Sequence, residues 1–271
     1  MSAAPVLADI ICTFFNAAGT LPRTIDALTG QTEARIRILL VDDGSTDESA
    51  TIAERAAAAD PRIVSLRNPI RGRGRALNHG IKQSHAPLLA IMDADDIAHP
   101  RWIEDMVALM AAHPRHAAIG CGRVYIYGQG DAQWPADSGM TPPRDVTARL
   151  GRGNPICHSG SVIRREALAA VSFYDAARTD NFDYDLWVRL MLAGRSLGVT
   201  SAVRLAKRYH GGQKFAAASG YVRSSIRVQV RAIRRRGGNP ADWLWVLARL
   251  VRETVRQRRR ARLLERRGHA G

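Results

Sequence analysis

Residues Ala90-Ile-Met-Asp-Ala-Asp-Asp-Ile97 place three carboxylates, Asp93, Asp95 and Asp96, directly behind a short apolar run. Such a run reads as a buried strand, so its last residues deliver the acids to one rim of a sheet. Three anions this close repel one another unless a cation is shared. An oxygen-only donor set suits a hard divalent ion, Mg²⁺ or Mn²⁺, which typically also binds a substrate's phosphates. The structural alternative is a turn with Asp96 as a helix N-cap.

The same pattern stands upstream. Ile36-Arg-Ile-Leu-Leu-Val41 reads as a strand running into Asp42-Asp43-Gly44-Ser45-Thr46-Asp47, followed by an alanine-rich helix over 48–59. A first strand over 7–15 precedes a helix at 21–28, and a third strand over 62–66 leads through a Gly/Arg loop to a helix over 75–83. Strand and helix alternate at the spacing of parallel β-α-β units, which predicts an α/β fold with a Rossmann-like sheet flanked by helices. Ligands of such sheets bind beyond the carboxyl ends of the strands, where strand order reverses. Thr13, Asp43 and the Asp93–Asp96 cluster are expected at that edge.

Phe14-Phe15-Asn16, Gln31, Val41-Asp-Asp-Gly-Ser-Thr-Asp47, Ala76-Leu-Asn-His-Gly80 and Asp93-Ala-Asp-Asp96 occur in an order and spacing that resemble family 2 glycosyltransferases. His158-Ser-Gly-Ser-Val-Ile-Arg164, Asp183-Tyr-Asp-Leu-Trp187 and Tyr209-His-Gly-Gly-Gln213 look like that family's acceptor-side segments. The resemblance covers about residues 7–215. It implies a GT-A-type mixed sheet and an inverting, metal-dependent transfer of a sugar from a nucleotide-diphosphate donor to a hydroxyl acceptor. It also implies a setting in bacterial surface-polysaccharide, lipopolysaccharide or glycolipid assembly. The domain expectation is a glycosyltransferase domain over 1–215, with a nucleotide-sugar half at 1–115 and an acceptor half at 116–215. A basic helical extension over 216–271 follows.

By the same resemblance, Asp95 and Asp96 are metal ligands. Asp93 and Ala94 face the nucleotide sugar, Asp43 accepts from a ring N–H of the base, and Thr13 and Asn16 sit beside the nucleoside. Asp42 reads as structural. In the loop Asn68-Pro-Ile-Arg-Gly-Arg-Gly-Arg75, Arg71, Arg73 and Arg75 are candidates to clamp a diphosphate, with Arg75 carried forward as the site residue; a solvated loop is the alternative. The third glycine of a dinucleotide fingerprint is missing, since Leu77 stands there. The acceptor hydroxyl must lose a proton, and the candidate base is Asp183 near the start of a helix. Phe182 stands where the family commonly has Glu, which leaves Asp180 as the fallback and Asp185 behind it. His158 is either an acceptor or phosphate contact or a hydrogen-bonded structural histidine. His210 is implied to contact phosphate or metal. Trp134, in the Gly/Pro-rich stretch 125–154, either stacks on a sugar or packs under a loop.

The formal charge is +15, and it is unevenly placed. Residues 201–271 carry 19 Lys and Arg against 3 Asp and Glu, whereas residues 1–200 carry 21 against 22. Three cysteines, Cys12, Cys121 and Cys157, lack metal-ligand spacing and predict a reduced, cytoplasmic compartment. No basic-then-apolar leader opens the sequence, and no run approaches the ~18–20 apolar residues of a bilayer span. The extension reads as two helices, 219–236 and 240–267, with Trp243, Val246, Leu247, Leu250 and Val251 on one face. That pattern predicts attachment to an anionic membrane surface, on the inner face of the cell membrane where lipid-linked glycans would be the acceptors. Packing against the catalytic body is the alternative, and nucleic acid is a poor partner because aromatic interleaving is sparse. Two rivals to the transferase reading are a nucleotidyltransferase that forms a sugar nucleotide and a non-enzymatic basic scaffold.

Overall fold

The computed structural model describes residues 4–128, 130–136, 139–209 and 219–251. Its amino-terminal half follows the alternation read from the sequence. Strands β1 (Ala8–Phe14), β2 (Ile36–Asp42), β3 (Ile63–Arg67) and β4 (Leu88–Asp93) pair in parallel in the order β3-β2-β1-β4. They are joined by helices α1 (Leu21–Thr29), α2 (Ser49–Ala59) and α3 (Arg73–Gln83). All seven residues of β1 are buried, as expected for a parallel strand covered on both faces.

Successive side chains of one strand enter opposite layers, the period of two that a pleated strand imposes. Ile11 belongs to the layer holding Leu77 and Ile81 of α3, whereas Ile10 and Cys12 belong to the layer holding Leu21, Ile25 and Leu28 of α1. Gly80 lets α3 lie close to the sheet: a Cβ there would stand 3.0 Å from Ile11 Cγ2 and Val41 Cγ2.

The rest of the chain extends the sheet with reversed strands. It runs through β5 (Ile97–Ala98), α4 (Trp102–Ala112), β6 (His116–Tyr127), β7 (Arg144–Asp145), β8 (Val162–Arg164), α5 (Arg165–Ala170), α6 (Phe182–Leu192) and β9 (Ser196–Tyr209). Strand β8 pairs antiparallel with β4, β6 antiparallel with β8, β9 parallel with β6, and β5 antiparallel with β9. Strand order therefore reverses between β1 and β4, which puts a crevice beyond the carboxyl ends of β1, β2 and β4.

Three features differ from or add to the sequence expectation. Helix α3 starts at Arg73, two residues early, because Gly72 at φ 141° makes the turn that opens it. The stretch 125–154 holds the end of β6, the short strand β7 and a 3-10 turn at Thr147–Gly151. Helix α7 (Ser219–Arg235) is docked on the body: Gln229 Nε2 donates to Gly151 O at 2.9 Å, Ser224 Oγ to Asp180 at 2.5 Å, and Arg231 pairs with the buried Asp185. A further helix covers 240–251 and is tied to α7 by Arg249, whose guanidinium donates to Gln229 Oε1 and Ser225 Oγ. The expected continuation to 267 lies outside the described residues.

Candidate functional site

Three strand ends build the rim. Thr13 of β1 lies opposite Asp93 of β4 on one side and Val41 of β2 on the other. Beyond β1, Asn16 (φ 49°) accepts from the Thr46 N–H at 2.8 Å, and its own N–H donates to Ser45 Oγ at 3.0 Å. The Asn16 carboxamide thus ties two loops together. Asp42 Oδ1 accepts from Ser45 N at 2.8 Å, the structural role expected of it. The buried Asp43 uses Oδ1 for both of its loop contacts, accepting from Asn68 Nδ2 at 2.7 Å and Gly72 N at 2.8 Å. The other oxygen of Asp43 takes neither bond.

Asp93, Asp95 and Asp96 converge at the end of β4. One carboxylate oxygen from each lies within 4.8 Å of the others, and Asp96 is fully buried while the other two are half-buried. Ala94 is buried between them. Two cations stand among the acids. Arg73, the first residue of α3, pairs with Asp93 Oδ1, and Lys207 Nζ of β9 lies 3.2 Å from Asp93 Oδ2 and 3.1 Å from Asp96 Oδ2. The Arg208 N–H donates to Asp96 Oδ1 at 2.9 Å, and its Nε donates to the Asp95 carbonyl at 3.0 Å. Burial pushes the Asp93 carboxyl up, but Arg73 and Lys207 together outweigh it and hold it well below the usual carboxylate range. Asp96 moves the other way, pushed up to about 7 by burial and by the charge of Asp93. An oxygen-only trio, with one member buried and two half-buried, fits a hard divalent ion.

The acceptor side meets the same guanidinium. Asp183, second residue of α6, is half-buried and accepts from Asn154 Nδ2 at 2.8 Å. Burial raises its carboxyl above the ordinary value, against the hydrogen bonds of the helix start and the field of Arg73. Arg73 in turn feels Asp93, Asp183 and Asp95, and its guanidinium lies 5.1 Å from the Phe182 ring centroid. Phe182, standing where a glutamate is common, is therefore a platform for Arg73. Asp180 is engaged by α7 through Ser224, and Asp185 is 2 % exposed among Arg178, Arg189 and Arg231. Both are structural in this arrangement.

His158 is buried, with Nε2 2.8 Å from Tyr174 Oη and its ring edge-on to Tyr174 and Phe182. Burial, with Arg73 adding to it, drives its basicity down to about 3, so the ring is neutral. Its Nδ1 is buried without a hydrogen-bond partner among the described residues. Burial pushes the thiol of the half-buried Cys157 up to about 11. Trp134 packs edge-on against His99, with centroids 5.0 Å apart. His210 lies outside the described residues.

Sequence reasoning carried Arg75 forward, whereas the guanidinium that meets the acids in the structure is that of Arg73. Arg75 is exposed and donates to Arg71 O at 3.2 Å, while Arg73 reaches the acids. Lys207 was not anticipated; its signal was a lone lysine among arginines at the end of a strand, 111 and 114 residues from its partners.

An α/β sheet with this strand order, bearing acids at its switch point and an acidic helix start across the crevice, is a GT-A-type arrangement. The chain belongs to glycosyl transferase family 2, whose model matches residues 9–171. EpsE of Bacillus subtilis (strain 168) is 27% identical over 190 residues, covering 69% of this chain and 67% of that protein. The amylovoran biosynthesis glycosyltransferase AmsE of Erwinia amylovora is 28% identical over 178 residues, 64% of this chain and 65% of its own length. Among solved structures, Staphylococcus aureus TarS 1–349 in complex with UDP-GlcNAc superposes with a TM-score of 0.68 at 16% identity, covering 84% of this chain and 66% of that one. The chain thus spans about two thirds of the length of each. Family membership sets aside the nucleotidyltransferase and scaffold readings. The protein is a transferase of sugars.

Proposed function

We propose that this glycosyltransferase moves a sugar from a nucleotide-diphosphate donor to a hydroxyl acceptor with inversion, with residues 1–115 as the donor half and 116–215 as the acceptor half. The observation that carries the reading is that one residue, Arg73, pairs with Asp93 of the acid cluster and stands over the ring of Phe182, the neighbour of Asp183 at the start of α6. The groups needed on the two sides of a transferred sugar therefore share one cleft. Asp93, Asp95 and Asp96 would hold Mn²⁺ or Mg²⁺, which supplies positive charge to the departing diphosphate. Asp43 and Thr13 would seat the nucleoside, with Asn16 and Gly72 fixing the loops around it. Asp183 would take the proton of the acceptor hydroxyl as its oxygen bonds to the anomeric carbon, while the bond to the diphosphate breaks and its electrons leave with phosphate.

The acceptor is proposed to be a lipid-linked glycan met at the cytoplasmic face of the membrane. No helix among the described residues is long and apolar enough to cross a membrane. The helix over 240–251 turns Trp243, Leu244, Leu247 and Val251 outward, and Leu244 is 65% exposed. Next to it α7 presents Arg227, Arg234 and Arg235 around Ile226 and Val230. Apolar side chains beside arginines are what an interfacial helix needs. The amylovoran transferase and a succinoglycan biosynthesis protein, ExoU of Rhizobium meliloti (39% identical over 100 residues, 36% of this chain and 29% of that protein), support the polysaccharide setting. Thermal-shift measurement with a panel of nucleoside diphosphates, with and without Mn²⁺, tests the donor reading. Uridine nucleotides come first, because TarS was solved with UDP and UDP-GlcNAc. Metal-dependent stabilisation by one nucleotide is expected; no shift with any nucleotide refutes it.

A further inference from the structure

The acids of the cleft are matched by cations of the protein itself. Asp93 Oδ1 faces Arg73 and its Oδ2 faces Lys207; Asp96 Oδ2 faces Lys207 and its Oδ1 accepts the Arg208 N–H. Every carboxylate oxygen of these two residues thus has a protein donor. A divalent ion bonds carboxylate oxygen at about 2.0–2.2 Å, so sharing Asp93 Oδ2 or Asp96 Oδ2 with Lys207 would hold an ammonium and a dication within ~4 Å of each other. At that distance, in a half-buried crevice, one of the two must leave.

The choice of side chain fits a mobile counter-ion. The chain has 37 arginines and only three lysines, Lys82, Lys207 and Lys214. Arginine holds carboxylates through a rigid fork, as Arg37 holds Asp9 here through Nε and Nη2, whereas lysine is a compact charge on a flexible stem that can be redirected. Lys207 lies in β9 with its side chain 16% exposed, at the open side of the cluster.

We propose that Lys207 is the resident cation of the acid cluster: its ammonium stands where a divalent ion would bind, and it is expelled toward the incoming diphosphate when metal and donor enter. This rests on the reading of Asp93, Asp95 and Asp96 as the metal-bearing acids. Two consequences follow. The donor-free protein binds divalent metal weakly, and nucleotide and metal bind together, because the diphosphate gives the displaced ammonium a new partner.

The test is Mn²⁺ titration of the donor-free, full-length protein, read from the electron paramagnetic resonance signal of free Mn²⁺. Lys207→Met is expected to bind Mn²⁺ at least tenfold more tightly than wild type, and Lys207→Arg, which keeps the charge, to remain weak. Equal affinity in wild type and Lys207→Met overturns the proposal. A second readout needs no variant. Brief acetylation followed by mass spectrometry is expected to show Lys207 more reactive once Mn²⁺ is added, with exposed Lys82 as the unchanging reference; unchanged Lys207 reactivity also overturns it. Asp95→Asn separates the two readings. If it leaves Mn²⁺ affinity intact, the acids are not the metal site; if it lowers affinity while Lys207→Met does not raise it, only the role of Lys207 fails.

Discussion

Asp183 is one carboxylate under opposing influences. The start of α6 favours its anion, while burial favours the protonated form and prevails, so its carboxyl titrates above the ordinary value of 3.8. A raised value means that the proton is kept to higher pH, and the base exists only above it. Transfer should therefore fall on the acid side along a limb lying above the usual carboxylate range. Asp183→Asn should lower kcat by about 10²–10⁴-fold and leave nucleotide affinity unchanged, measured by initial rates and nucleotide titration. Asp95 offers the cleanest test of the acids, because Asp93 and Asp96 also hold Lys207. Asp95→Ala should abolish Mn²⁺-supported transfer at an unchanged Tm; near-normal turnover would remove Asp95 from the machinery. Much of this was legible: three acids behind an apolar run, and an aspartate before Tyr-Asp-Leu-Trp. The Arg73–Arg75 distinction was not. Residues two apart on a helix point about 200° apart, so a boundary shift of two residues decides which guanidinium meets Asp93.

At the scale of elements, the β-α-β alternation over 8–93 was readable because each strand is a short apolar run between turn residues. Strands β6 and β9 carried no comparable signal. The outer half of β6 alternates half-buried and exposed residues, that of β9 mixes apolar with basic ones, and their pairing slips register at Gly120–Gly122 and Gly122–Arg123. Gly122 marks that irregularity: a Cβ there would lie 2.5 Å from the Ser201 carbonyl oxygen, a backbone atom unable to move alone. Gly122→Ala should cost about 1–3 kcal/mol, seen as a Tm several degrees lower. The α6–α7 contact makes a pH prediction. Asp185 is buried among Arg178, Arg189 and Arg231, and although burial opposes them, these partners hold its carboxyl below the ordinary value. A lowered folded value gives stability that is present above the unfolded carboxylate pKa and lost as pH falls through the folded one. Asp185→Asn should thus destabilise the protein by about 3–5 kcal/mol at neutral pH. The variant should also show a shallower loss of stability than wild type on acidification, followed by the fluorescence of buried Trp187.

For the whole molecule, the uneven charge and the outward apolar side chains of 240–251 make a joint prediction. Full-length protein should float with anionic vesicles and not with zwitterionic ones, and rising salt should weaken the association. Replacing Trp243, Leu244 and Leu247 together by serine should abolish flotation at an unchanged Tm; retained flotation would place the contact elsewhere. The charge asymmetry was plain in the sequence, whereas the docking of α7 depended on Asp180, Asp185 and Gly151, partners that no local pattern announces. The pairing of Asp93 and Asp96 with Lys207 and Arg208 has a consequence for anyone recombining such enzymes. Residues 1–115 bring the acids and one cation, Arg73, and β9 brings the other, Lys207, together with the Arg208 N–H. A chimera that joins residues 1–115 to a foreign acceptor half therefore inherits an uncompensated charge unless the newcomer supplies a cation at the equivalent strand position. Donor preference cannot be exchanged as a cassette here; the seam runs through the acid cluster itself.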